Sequence, residues 1–347
     1  MKLRNYILRR VSLLIPVILG VLVLVFIISY VIPADPARAW AGPKARPEQI
    51  EVLRERYHLN DPVYLQIYYY LRNLVLHFDL GVSATTGRPV LTDLKAFFPA
   101  TFELAFFAFV LAIVIGIPLG VVSALRRNEP TDHFSRVVAL TGVSTPLFWS
   151  ALLMQFLFYY KLHWLPAFGR LSVEINRYTG FVLLDSVLNW NWSAFGDAAT
   201  RLILPAFTLA FYTMGYLVRI TRGSMLEVLE SEYVVTAKAK GLPQRVVIYR
   251  HALKNAIIPP ITVLGINFGW LLGGTVLLET IFSWPGMGRT LLNATAAEDV
   301  PLIMGVFSFI GVLIGAPGGR LDLCVLGPTH PVCLKISKLD AGSSIKH

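Results

Sequence analysis

"SEYVVTAKAKGLPQRVVIYRHALKN", residues 231–255, lies between two apolar runs, and its reading decides the architecture. The stretch is basic, rich in small residues and broken once, at Gly241-Leu242-Pro243. Residues 231–240 have good local helix character, Gly241 supplies the bend that stops a helix, and Pro243 suits the first turn of a new one. In that second helix Val246, Tyr249, Leu253 and Ile257 recur at helical spacing and form one apolar stripe, while Arg250 and Lys254 lie beside one another at i, i+4. Ala237 and Ala239 leave room for close approach by another protein. Two readings stay open: a helical pair docked in a partner's cleft, or an amphipathic pair resting on lipid headgroups, which basic residues also favour.

The flanking runs belong to a series. The chain has 347 residues, 55% hydrophobic and only 15% charged. A soluble domain of this size needs a larger charged surface. Apolar segments at 11–32, 101–122, 137–160, 202–218 and 256–278 account for the excess, and a sixth begins at Pro301. At the helical rise the first spans ~33 Å, against a hydrocarbon core of about 30 Å. The expected fold is an all-α polytopic membrane protein.

The net charge of +10 is a topology signal. Lys2, Arg4, Arg9 and Arg10 precede the first span; Arg126, Arg127 and Arg136 follow the second; Arg219, Arg222, Lys238, Lys240, Arg245, Arg250 and Lys254 follow the fourth. On the other side, basic residues are interleaved with Glu48, Glu51, Glu55 and Asp61. Basic density in short loops places the N-terminus and residues 231–255 in the cytoplasm, and no nucleic-acid partner is expected. Ala37-Arg38-Ala39 resembles a signal-peptidase site, but the apolar run before it exceeds the 7–15 residues such peptides use, so an uncleaved first helix is expected.

Residues 33–98 read as an external amphipathic segment, with two short helices split at Asn60-Asp61-Pro62. It is either a cap over the path or a solvated connection. The second span carries Gly116, Pro118 and Gly120, and the third Gly142 and Pro146; such kinked, small-residue helices suit either a moving path or plain close packing in a bundle. Trp164, Trp190 and Trp192 suit the outer interface. Gly265, Gly269 and Gly273 form a small-residue seam for helix packing in the fifth span. Pro285-Gly286 makes an outer turn followed by a short helix. The sixth run, residues 301–314, covers only ~21 Å before a tail dense in helix breakers.

The sequence has no phosphate-binding GxxxxGK[ST], HExxH or GxSxG. Cys324, His330 and Cys333 fit no usual zinc spacing, so no metal site is expected. An enzyme is not expected. A secondary carrier keeps ionisable groups inside its spans; here Glu103 and Glu279 fall near membrane ends, where snorkelling or interface contacts would serve them. The chain reads as a path without its own energy source, worked from outside through residues 231–255. A passive channel or scaffold component is the alternative.

"TAKAKGLPQRVVIYRHALKNAIIPPITVLGINFGWLLGGTVLLETIFSWPGMGRTLL" (236–292) resembles the C-terminal half of bacterial ABC-transporter permeases of the dipeptide/oligopeptide/nickel family. "YILRRVSLLIPVILGVLVLVFII" (6–28) and "LHWLPAFGR" (162–170) are similar to its B-type subunit. The resemblance implies a multi-pass subunit of the bacterial inner membrane with six transmembrane helices and a cytoplasmic coupling-helix (EAA-type) loop. It implies a second homologous permease, two cytoplasmic ATPase subunits and an external solute-binding protein as partners. ATP is used by those ATPase subunits, and no cofactor is bound by this chain. It assigns ATPase docking to Glu232, Tyr233, Thr236, Ala237, Ala239, Gly241 and Leu242, with Arg250, His251 and Asn255 as the closing segment. The resulting division is 1–32 (cytoplasmic N-terminus and first helix), 33–98 (external segment), 99–314 (permease core) and 315–347. That last tail departs from the family pattern after about Gly311, as an altered reading frame or a replaced native end would leave it.

Overall fold

The computed structural model describes residues 15–16, 19–20, 22–27, 37–38, 45–56, 58–77 and 79–318. Their regular structure is helical, apart from an isolated antiparallel bridge between Val82 and Pro89. In chain order the helices are α1 (Pro47–Arg56), α2 (Val63–His77), α3 (Val90–Leu125), α4 (Pro130–Ser144), α5 (Leu147–Met154, continued by a π-helical stretch Gln155–Lys161), α6 (Val182–Leu188) and α7 (Trp192–Leu229). Then follow α8 (Glu232–Ala239), α9 (Gln244–Val246, continued by a π-helical turn Val247–Ala252), α10 (Leu253–Ala256), α11 (Ile258–Gly274), α12 (Val276–Ile281), α13 (Met287–Ala296) and α14 (Val300–Gly318). The split of the 33–98 segment at Asn60-Asp61-Pro62 and the short helix after Pro285-Gly286 fall where the sequence placed them. Most of the first apolar run and the tail beyond Gly318 lie outside the described residues, as do Cys324, His330 and Cys333.

The centre of the fold is a parallel pair, α3 against α7, and its cause is a repeat of small residues. On α3 Ala100, Leu104, Ala108, Ala112, Gly116, Gly120 and Ala124 recur every fourth residue and all are buried. On α7 Ala194, Ala198, Leu202, Ala206, Ala210, Met214 and Val218 do the same. Every-fourth-residue ridges of small side chains let two backbones approach closely. A β-carbon on Gly120 would meet the Thr221 Cβ at 2.6 Å, and one on Gly116 the Leu217 side chain at 3.2 Å. At 36 and 38 residues, both helices are long and apolar enough to cross a membrane. The molecule is a polytopic membrane protein.

Helix α4 runs back along α7, again through glycine. A β-carbon on Gly142 would stand 2.6 Å from the Phe211 carbonyl oxygen, and one on Gly215 would stand 2.5 Å from that of Ala139. Gly223, further along α7, has nothing within 4 Å of that position. Gly215→Ala is therefore expected to destabilise by about 1–3 kcal/mol through overpacking, whereas Gly223→Ala should stabilise by up to about 1 kcal/mol through helix propensity. Thermal unfolding of the detergent-solubilised protein separates the two; shifts of the same sign would contradict this account of the seam.

The third apolar run is bent sharply just before Pro146: α4 and the segment from Leu147 to Lys161 meet at 109°. Thr145 is extended, at φ −85° and ψ 128°, because the residue before a proline is pushed out of the α region. The sixth run is longer than residues 301–314, since α14 continues through Gly318 and places Gly315 and Pro317 in its last turns. In the described part of the first run Phe26 is buried against a cluster that includes Val300 and Met304 of α14. In α11, Gly269 is buried and Gly265 half-buried; Gly273 belongs to the same helix, with its surroundings outside the described residues.

Candidate functional site

Residues 231–255 fold back on the ends of α3 and α7. Glu230 closes α7, and Ser231, extended at ψ 146°, opens α8. Val234 and Ala237 face inward, in a cluster with Val121 and Ala124 of α3, Met225 of α7, and Val247, Ile248, Ala252 and Ala256. Helix α8 ends where Gly241 takes φ +72°, a left-handed conformation that glycine enters without steric cost. The Gly241 N–H donates to the Lys238 carbonyl (3.0 Å) and the Lys240 N–H to that of Thr236 (3.1 Å). Pro243 then accepts from the N–H groups of Val246 and Val247, at 2.8 and 3.1 Å, and the next helix begins.

The apolar stripe of that second helix differs from the 3.6-residue expectation. Val247, Ile248, Ala252 and Ala256 are the residues buried against the bundle, while Tyr249 is 63% exposed. The π-helical turn at Val247–Ala252 is the cause: its i→i+5 bonding widens the turn and rotates the buried face. A period of 3.6 assumed throughout puts Tyr249 on the wrong side.

Of the residues assigned to docking, Glu232, Tyr233, Thr236, Ala239, Gly241 and Leu242 are exposed, as are Arg250 and Asn255; His251 is half-buried. Ala237 is buried, so its small side chain serves the packing of α8 onto the chain's own helices. Tyr233 and Asn255 come together, Asn255 Nδ2 donating to the Tyr233 hydroxyl at 2.8 Å. This bond ties α8 to the segment that follows the π-helical turn. The outward face also presents Val235 and Tyr249, which sequence reading did not assign to it, among Lys238, Lys240, Arg245 and Lys254. Apolar and aromatic groups set among cations make this a surface suited to a protein partner with an acidic rim.

The base of this loop is fixed by an ion pair that sequence reading missed. Arg222 of α7 donates from Nε and Nη2 to the two carboxylate oxygens of Asp132 on α4, at 2.7 and 2.8 Å. Asp132 is fully buried. It also accepts from Ser123 Oγ of α3 (2.6 Å) and from the Asn128 N–H (3.0 Å). A bidentate guanidinium–carboxylate pair fixes orientation as well as distance, so the ends of α3, α4 and α7 beneath α8 are joined at one point.

At the opposite end, Glu103 and Glu279 do not snorkel to solvent but are enclosed by the protein. Both are buried. Glu103 accepts from Arg170 Nε (2.9 Å) and from the Leu183 N–H (3.0 Å). The Arg170 guanidinium lies 5.9 Å from the ring centre of Trp284, whose indole N–H donates to the Ala100 carbonyl at 2.8 Å. These contacts draw residues 163–191 onto α3. Trp164, Trp190 and Trp192 remain exposed at this end.

Comparison with known proteins agrees with this frame. Residues 116–318 match the family described as "Binding-protein-dependent transport system inner membrane component", and residues 3–105 match its N-terminal companion. The chain is 49% identical over 307 residues to "Probable D,D-dipeptide transport system permease protein DdpB" of Escherichia coli (strain K12), covering 87% of this chain and 90% of that one. It is 43% identical to "Dipeptide transport system permease protein DppB" of Alkalihalophilus pseudofirmus, with 90% and 92% covered. To the DppB permease of Escherichia coli (strain K12) it is 39% identical, with 94% and 98% covered. The chain belongs to the family of inner-membrane components of binding-protein-dependent transport systems. It is a permease subunit of an ABC importer, a transport component and not an enzyme.

Proposed function

We propose that this chain is the six-span permease subunit of an ATP-driven importer for dipeptides, oligopeptides or similar small solutes, with residues 231–255 as the coupling element. The observation that carries this reading is the two-sided build of that loop. Its inner face is packed into the ends of α3 and α7, and its outer face presents Glu232, Tyr233, Thr236, Ala239, Gly241 and Leu242. A push on the outer face is passed to the helices that would line the path. The peptide substrate is the one the relatives' names give.

The six spans would be the first apolar run, α3, the bent α4–α5 pair, α7, α11 and α14. At 19 residues, α14 covers roughly 28 Å, close to the hydrocarbon thickness. The distribution of Lys and Arg puts the N-terminus and residues 231–255 on the cytoplasmic side of the bacterial inner membrane, and residues 33–98 and 163–191 outside. The partners are a second homologous permease, two ATPase subunits that bind and hydrolyse ATP, and an external solute-binding protein. ATP binding closes the ATPase pair, and docking on α8 converts closure into an outward-open path. The energy available is the difference in contact free energy between the two states, since attachment of equal strength in both would shift nothing.

Reconstitution with both ATPases, the second permease and the binding protein should give ATP-dependent uptake of a labelled dipeptide into proteoliposomes. Gly241→Pro should abolish uptake without preventing membrane insertion, because a proline locked near φ −65° cannot take the +72° that Gly241 adopts. Uptake unchanged in Gly241→Pro, or uphill accumulation by this chain alone without nucleotide, would overturn the reading.

A further inference from the structure

Glu279 is a fully buried carboxylate that the coupling mechanism does not use. Its Oε1 accepts from the hydroxyls of Thr101 on α3 (2.6 Å) and Thr275 (3.0 Å), and its Oε2 from the Arg289 N–H (3.0 Å). The Thr101 oxygen in turn accepts from the Met287 N–H at 2.8 Å. Helix α13 has Gly286 at its N-cap and no side-chain cap of its own. Glu279 and Thr101 take that role from two other elements, satisfying N–H groups of the first turn that lack intrahelical partners. The carboxylate also explains two glycines. A β-carbon on Gly286 would fall 2.4 Å from the Glu279 Cδ, and one on Gly288 would fall 3.0 Å from Oε2 and 2.6 Å from the Val276 Cα. The turn 282–289 is wrapped around this one side chain.

The consequence reaches beyond the turn. Met287, Leu291 and Ala294 of α13 share a buried cluster with Val90 and Leu94 of α3 and Leu302 and Val306 of α14. Asp299 holds residues 83–85 at the start of α14, accepting from Ser83 Oγ (2.5 Å) and the Thr85 N–H (2.9 Å). From these contacts we infer that Glu279 is a positioning residue for transport: it pins α13 to α3, so that the outer end of the chain moves as one block. On this account the path opens by displacement of the block against the partner permease. It does not open by separation of α3, α13 and α14 within this chain.

The inference rests on the proposed importer function, and two measurements keep its failure distinct from failure of that reading. The first uses the assembled importer in a Cys324→Ser, Cys333→Ser background. A β-carbon on Gly305 would stand 3.6 Å from the Val90 Cβ, within the ~3.5–4.5 Å of a disulfide, and Val90→Cys removes the methyl group that crowds it. Uptake by Val90→Cys, Gly305→Cys should stay within about twofold on oxidation. Uptake that oxidation abolishes and reductant restores would overturn the block. The second measurement is labelling of Leu291→Cys, at 8% exposure, by a membrane-impermeant maleimide. It needs neither substrate nor nucleotide. Labelling should be slow with Glu279 present. In Glu279→Met, which is of similar size but has no acceptor for the Arg289 N–H or the Thr101 hydroxyl, it should rise at least tenfold, with dipeptide uptake falling at least tenfold. Unchanged labelling in Glu279→Met overturns the pin, and raised labelling with normal uptake overturns its need in transport.

Discussion

Arg170→Met, with Glu103 left in place, should destabilise the protein by about 3–5 kcal/mol, because it strands a buried carboxylate without its cation. Glu103 and Arg170 are 4% and 7% exposed, so solvent screening takes little from the effect. Among the described residues the remaining donor to Glu103 is the Leu183 N–H at 3.0 Å, a neutral group unable to balance the charge. The double variant Glu103→Gln, Arg170→Met should recover most of the loss, since glutamine keeps an acceptor for Leu183 and removes the charge. Thermal unfolding of the detergent-solubilised protein reads both. A single variant as stable as the parent would show that water reaches Glu103, contrary to the packing described. An additional loss common to both variants would measure the contacts of Arg170 with Trp284 and of its stem with neighbouring residues.

The sequence carried those parts of the structure whose cause is local. Asp61-Pro62 separates α1 from α2, Gly241 and Pro243 bend residues 231–255, and Pro285-Gly286 precedes α13; each is a backbone preference visible within a few residues. Glycines 116, 120 and 142 were legible as sites of close approach. The longer stripe was equally present in the sequence, in Ala100, Ala108, Ala112 and Ala124, but alanine is so ordinary in an apolar helix that only its every-fourth-residue recurrence marks it. What had no local cause was missed. Asp132 pairs with Arg222 and Glu103 with Arg170 across the fold, and no spacing rule selects one arginine among many. The buried face of residues 244–256 was misassigned because a π-helical turn changes the period inside the window over which periodicity is counted.

Ala237→Asp should abolish ATP-driven uptake while the chain still inserts in the membrane, and Ala239→Asp provides the control that identifies why. Both sit on α8 two residues apart, but Ala237 is 6% exposed in the seam with Val121, Val234 and Val247, whereas Ala239 is exposed. A carboxylate at position 237 has no cation in that cluster, and burying an unpaired charge costs far more than the marginal hold of an eight-residue helix can offset. The expected response is release of α8 from α3 and α7, with the rest of the bundle intact. Trypsin should then cut at Lys238 and Lys240 at least tenfold faster in Ala237→Asp than in the parent, and uptake should fall by at least the same factor. Ala239→Asp should keep the parent's resistance to trypsin, because its carboxylate stays in water, and a loss of uptake there would report the proposed contact with an ATPase. If Ala237→Asp transported normally with α8 released, force would not pass through this seam, and the two-sided build of residues 231–255 would have no part in coupling.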